Sequence, residues 1–150
     1  MTFYGIILVI HIIAAVCGLG ATFALPALMG SPKTVAQAKF AHNVAEKVEK
    51  FAKIGSITLL LTGLALGALN TYLFTEIWFL ASLVIYVLVQ PIVAGIVPKK
   101  TARQVEILES STDKELPEEY NNIGKALVPI NMIAQVSAVV LIVLMTLKPF

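Results

Sequence analysis

The stretch ILVIHIIAAVCGLGATFALP, Ile7–Pro26, decides the fold. Only His11 and Thr22 interrupt its apolar run. A bilayer core of about 30 Å is crossed by about 20 apolar residues in a helix rising 1.5 Å each. The stretch therefore reads as the heart of a membrane span from about Tyr4 to Met29. It lacks the positive flank of a signal peptide, and its apolar run is too long for one, so it is expected in the mature chain.

Three further stretches meet the same requirement, at about residues 54–74, 77–97 and 126–147. All four should be helices, because an open strand edge in lipid leaves backbone groups without partners. Composition agrees. Of the 150 residues, 58% are hydrophobic and 13% charged, against about 25% charged in soluble domains. That leaves too little polar surface to cover a water-soluble globule. The net charge is +2, and no basic run with interleaved aromatics suggests nucleic acid. The expected architecture is all-α, a single four-helix transmembrane domain over residues 1–150.

Lysine and arginine set the expected orientation. Lys33, Lys39, Lys47, Lys50 and Lys53 lie between spans one and two, and Lys99, Lys100, Arg103, Lys114 and Lys125 between spans three and four. Only Lys148 lies on the other side. The positive-inside rule then places both long connections in the cytoplasm and both termini outside. Tyr4, Tyr72 and Trp78 fall at the expected outer interface. The long connections are themselves helical in pattern. Val35, Ala38, Ala41, Val44, Val48 and Phe51 recur at helical spacing behind Thr34, which suits an N-cap. One helix is expected from about Thr34 to Leu73, with residues 34–53 standing in the cytosol. A second extension covers about 102–125. It holds a short helix near Ala102–Glu109, and Thr112, Glu115 and Pro117 mark the start of helix four, which Pro129 should kink.

Packing in lipid relies on small residues that let backbones approach. Gly63 and Gly67 form a Gly-x-x-x-Gly pair, whose reading is helix packing and which leaves a homodimer open. Ala14, Gly18 and Thr22 follow His11 on one face of span one. His11 should therefore point into the bundle. It is the one imidazole inside a span, about 10 Å below the outer helix end. Two readings of it stand: a neutral histidine bonded to a neighbouring hydroxyl or carbonyl, and an axial ligand to heme iron. In the second, a b-type heme fills the gap beside Ala14, Ala15 and Gly18, and Asn70, Tyr72 or Lys148 receives its propionates. His42 lies beyond the opposite membrane face and reads as a solvated or packed surface residue. Cys17 is alone and reads as a buried, inert thiol, with no c-type heme motif present.

A second polar set comprises Tyr86, Gln90, Asn131 and Gln135, with Thr58 and Thr62 nearby. It reads as an interhelical hydrogen-bond network or as a polar cavity for a small substrate. Gln90 precedes Pro91, which frees a backbone carbonyl of the preceding turn. No nucleophile–base pair, phosphate loop or zinc-type cluster is present in the sequence.

The run HIIAAVCGLGATFALP resembles a superfamily of small bacterial membrane proteins, as do LLLTGLALG on span two and IWFLASLVIY on span three. The superfamily includes HemJ-type protoporphyrinogen oxidases, CopD-like copper-resistance membrane domains and four-span integral membrane proteins of unknown function. The last group matches best in size and in its long second helix. The resemblance implies a bacterial inner-membrane location and a heme-ligand role for His11. HemJ-type proteins also carry a lysine in the third span, whereas here Trp78 is followed by Leu80, Ala81 and Ser82 and the span has no lysine. Whether the protein is an enzyme is therefore left open. The leading expectation is a membrane-embedded heme-binding protein with a redox, oxidation or sensing role. The alternatives are a small transporter or polar-cavity binding protein, and a structural membrane subunit.

Overall fold

The computed structural model describes residues 2–150. It is a four-helix membrane bundle, with four helical runs long and apolar enough to cross a bilayer. Helix α1 covers Phe3–Gly30 and α2 covers Val35–Leu69. Helix α3 covers Ile77–Pro91 and passes through a π turn, Ile92–Ile96, into α4, Val97–Ser110. Helix α5 covers Glu118–Leu147. The lipid-facing sides carry exposed Ile12, Val16, Ile57, Leu61, Val84, Leu88, Val136 and Ile142, as a lipid solvent allows.

Thr2 and Thr34 cap α1 and α2, accepting from the backbone N–H of Gly5 at 3.2 Å and of Gln37 at 3.3 Å. Three expected boundaries move. Helix α2 stops at Leu69 rather than Leu73, because Asn70 leaves helical geometry and a 3₁₀ turn, Thr71–Thr75, follows. That turn folds Phe74 back over Gly67, where an added Cβ would meet the ring at 2.8 Å. Span three and its cytosolic helix are one continuous run, Ile77–Ser110, rather than two helices. The prolines at 91 and 98 each lack an N–H, and the π turn between them bonds the Val97 N–H to the Ile92 carbonyl, so the chain stays helical. Helix α5 starts at Glu118 with Pro117 as its N-cap. Thr112 and Glu115 do not form a capping box, and Glu115 instead pairs with Thr34 in an isolated β-bridge. Pro129 lies within α5, which runs through it without a break.

The helices stand in the ring order α2, α1, α5, α3. The closest seam is α1 against α2. A Cβ on Gly55 would lie 2.7 Å from the Gly18 nitrogen and 3.0 Å from the Ala14 carbonyl oxygen. Backbones approach there because neither crossing residue has a side chain. Gly63 and Gly67 work differently from the expected helix–helix motif. Gly63 makes room for the His11 ring and Gly67 for Phe74 and Phe79, so the chain's own side chains occupy that face. Between α2 and α3, by contrast, no Cα pair comes within 8 Å among the described residues. Large side chains and cavities fill the space.

The lysine-rich end carries a second packed layer beyond the membrane portion. Val35, Ala38, Ile107, Leu108 and Tyr120 form its core, with Leu116 and Ile123 against it. The Val35 N–H donates to the Lys114 carbonyl at 3.0 Å, and Arg103 reaches Glu119 at 2.8 Å. His42 belongs to this core. It is 9% exposed and its Nε2 lies 3.2 Å from the Tyr120 hydroxyl, so it is not the surface residue the sequence suggested. Burial lowers the His42 imidazole below its ordinary value and raises the Tyr120 phenol. Trp78 is buried at the far end of the bundle, edge-on to Phe79 and beneath the Lys148 ammonium at 5.4 Å. Tyr4 and Tyr72 are exposed as expected. Cys17 is exposed on the bundle surface rather than buried.

Candidate functional site

His11 sits in the third turn of α1, where the helix faces α2. Its Nδ1 lies 2.8 Å from the Thr62 hydroxyl. Thr62 has one hydroxyl proton, and it goes back along its own helix to the Thr58 carbonyl at 2.6 Å. The hydroxyl must therefore accept from His11. That assigns the proton to Nδ1 and leaves a lone pair on Nε2, which has no hydrogen-bond partner among the described residues. The Leu59 carbonyl also lies within hydrogen-bonding reach of the imidazole and of the Thr62 hydroxyl, the latter at 3.2 Å. The Cε1 edge rests over Gly63, at 3.3 Å from where a Cβ would be.

His11 borders a cavity of about 520 Å³ in the half of the bundle away from the lysine-rich end. All four spans contribute to this distal cavity. Ala15, Leu19 and Val16 come from α1, Leu59 and Gly63 from α2, Phe79, Ser82 and Leu83 from α3, and Leu141 and Met145 from α5. Its volume lies within the range of sites that take cofactor-sized ligands. Its polar groups are already engaged, apart from His11 Nε2. The buried Ser82 hydroxyl donates to the Trp78 carbonyl at 2.7 Å, and the Tyr86 hydroxyl donates to the Ser56 carbonyl at 2.6 Å.

Of the expected heme neighbours, only Ala15 borders this cavity with His11. Ala14 is buried against Leu59, Tyr86 and Leu141, and Gly18 is pressed on Gly55 and Ser56. The gap arises from the spread of α1, α3 and α5 around large side chains, not from the small-residue stripe, which is used up in the α1–α2 seam. Lys148 is held over Trp78 and Tyr72 is exposed, both at the same end of the bundle as the cavity.

A second cavity of about 310 Å³ lies in the half nearer the lysines, in the gap between α2 and α3, with Leu19 and Leu25 of α1 and Ala134 and Ala138 of α5 closing it behind. Tyr86 and Gln90 from the expected polar set meet here, joined by Ser56, which the sequence reading did not single out. The Tyr86 hydroxyl bonds both the carbonyl and the hydroxyl of Ser56, and Gln90 Nε2 donates to the Ser56 hydroxyl at 3.2 Å. Asn131 and Gln135 are not brought into it. Gln135 instead donates to the Thr22 carbonyl at 3.3 Å, tying α5 to α1. Glu49 and Lys53 stand at the mouth toward the lysine-rich end, and burial raises the Glu49 carboxyl above its ordinary range, with Lys53 opposing. Leu19, Leu59, Tyr86 and Leu141 line both cavities, so one layer of side chains separates them.

Among the described residues no group of three or more His, Cys, Asp or Glu side chains converges as a metal site. A metal here would have to bring most of its own coordination, as iron does in a porphyrin.

These features define a polytopic membrane protein with two intramembrane cavities, one bordered by a single unengaged imidazole nitrogen. The chain belongs to the family described as "Predicted integral membrane protein (DUF2269)", whose model matches residues 5–149. No curated protein and no solved structure matches the chain.

Proposed function

We propose that the protein holds a b-type heme in the distal cavity, with His11 Nε2 as an axial ligand. The observation that carries this reading is the unengaged lone pair of His11 on the wall of an apolar, ligand-sized cavity. Thr62 plays the supporting part usual for a metal-bound histidine: it accepts the other ring proton, which fixes the tautomer and aims the lone pair. Gly63 leaves the ring the space it needs. Phe79, Leu59 and Leu141 supply apolar walls that suit the porphyrin's faces and exclude water. Lys148, near the bundle end, offers a cation for a propionate at the cost of its contact with Trp78. A bound heme would supply one-electron chemistry or ligation of a diatomic gas.

The lysine-rich end is assigned to the cytoplasm by the positive-inside rule, with the heme half of the bundle toward the outer leaflet of a bacterial inner membrane. The test is an absorbance spectrum of the detergent-purified protein from heme-supplied cells. A Soret band that His11→Ala abolishes is expected. A folded, colourless preparation that takes up no added hemin overturns the reading.

A further inference from the structure

We infer that the cavity between α2 and α3 is a binding site for a membrane-soluble molecule of quinone chemistry, a neutral carbonyl-bearing ring on an apolar tail. Three observations lead there. The first is the way in: no Cα of α2 comes within 8 Å of a Cα of α3 among the described residues, and at the slot the two helices meet through the Tyr86 and Gln90 side chains on Ser56 and, beyond it, through α4. A molecule dissolved in the bilayer can enter sideways. The second is the wall, which is Leu, Val, Ile and Ala along most of its length and takes an apolar body.

The third observation is the polar group at the inner end. The Tyr86 hydroxyl proton goes to the Ser56 carbonyl, and the Ser56 hydroxyl, which meets Tyr86, accepts from Gln90. Both hydroxyls are thereby spent on each other and on the backbone. Gln90 keeps unused capacity beside them: its second N–H, and a carbonyl oxygen with no partner among the described residues; the Ser137 hydroxyl, on the α5 wall, is also without one. An amide offers one donor and one acceptor and no charge. A quinone carbonyl accepts from the N–H, and the hydroxyl of the reduced form donates to the oxygen, so the same side chain suits both forms. A charged head would be unpaired at this depth.

The mouth carries the charges. Glu49 lies seven residues before Ser56, about 10 Å along the helix. A phospholipid would therefore seat its headgroup at Glu49 and Lys53 and send only an acyl chain inward, leaving Gln90 without a partner. A ring with a carbonyl satisfies it. This assignment does not depend on heme at His11.

The test uses the full-length protein in phosphatidylcholine nanodiscs with a short-tailed azidoquinone as photolabel. Saturable labelling of residues 52–59 and 89–94 is expected, displaced by decylubiquinone and not by dodecanol. Gln90→Leu should weaken decylubiquinone binding about fivefold, the effect of one lost hydrogen bond. Val93→Trp, which fills the slot without touching the polar group, should abolish labelling, while Asn131→Ala should leave it unchanged. Scattered labelling, equal displacement by dodecanol, or full affinity in Gln90→Leu overturns the proposal. Displacement by added phosphatidylethanolamine that Lys53→Gln removes would assign the slot to a phospholipid instead.

Discussion

Gly55→Ala tests the seam on which the His11 geometry depends. The added methyl would lie 2.7 Å from the Gly18 nitrogen, 2.9 Å from the Cys17 Cβ and 3.0 Å from the Ala14 carbonyl oxygen. Two of the three are backbone atoms of a helix, so no side chain can swing aside. To reach ordinary contact near 3.4 Å, α1 must withdraw by about 0.7 Å. Thr62 lies two turns along the same helix, and the same withdrawal there would stretch its 2.8 Å contact with His11 to the limit of a hydrogen bond. Overpacking of this kind costs about 1–3 kcal/mol, offset by about 0.5–1 kcal/mol because alanine favours a helix over glycine. Two controls calibrate it. A Cβ on Gly18 meets the Ser56 nitrogen at 3.1 Å, a milder clash, and a Cβ on Gly20 meets nothing within 4 Å. Reversible unfolding in mixed micelles titrated with dodecyl sulfate should rank the variants Gly55→Ala, Gly18→Ala, Gly20→Ala from least to most stable. The ends should differ by about 2 kcal/mol, with Gly20→Ala at or above the parent. Equal stability of Gly55→Ala and Gly20→Ala would mean that α1 and α2 do not cross at these glycines, and the orientation of His11 would lose its basis.

Four further outcomes are expected. Thr62→Val removes the acceptor for His11 Nδ1 and should lower heme affinity about tenfold by hemin titration, while Thr62→Ser restores it. His42 is held below 6.5 by burial, so between its folded value and 6.5 the unfolded chain binds more protons; stability is full above 6.5 and falls as the pH drops below it. Unfolding midpoints measured from pH 8 to pH 5 should show this loss, and His42→Gln should flatten that part of the profile. Gln104 is 3% exposed and donates to the Tyr120 carbonyl at 3.2 Å, so Gln104→Leu should cost about 1–2 kcal/mol in the same micelle titration. In a Cys17→Ser background, an impermeant maleimide should label Thr71→Cys on intact cells and Ser110→Cys only after lysis; the reverse pattern would invert the assigned orientation.

The spans were legible because hydropathy over about 20 residues is a local property that lipid enforces segment by segment. The helical extensions were legible for a similar reason, since Val35, Ala38 and Ala41 recur at helical spacing before any partner is known. What the sequence does not carry is which face meets which. His11 could be placed inside the bundle from the small residues beside it, yet Ala14 and Gly18 turned out to serve the seam with Gly55, and the cavity is built by residues from all four spans. Ser56 shows the same limit. A serine in an apolar helix has no signature until Tyr86 and Gln90 are seen to reach it from α3, thirty and 34 positions away. His42 shows it for the layer at the lysine-rich end: its helix face was apparent, but its burial depends on Tyr120, 78 positions later. The π turn is the converse case. Span three and the helix near Ala102–Glu109 read as separate elements, and the run is continuous because a wider turn between Pro91 and Pro98 absorbs the missing donors. It begins one residue past Pro91, and hence two past Gln90, the side chain whose unused amide valences give the slot its chemistry. Shifts of helical phase place residues that a regular helix would direct elsewhere, and π turns recur at functional sites for that reason. The local departure from regular structure and the unsatisfied amide thus meet at one point in the bundle, which is where a ligand would have to be recognised.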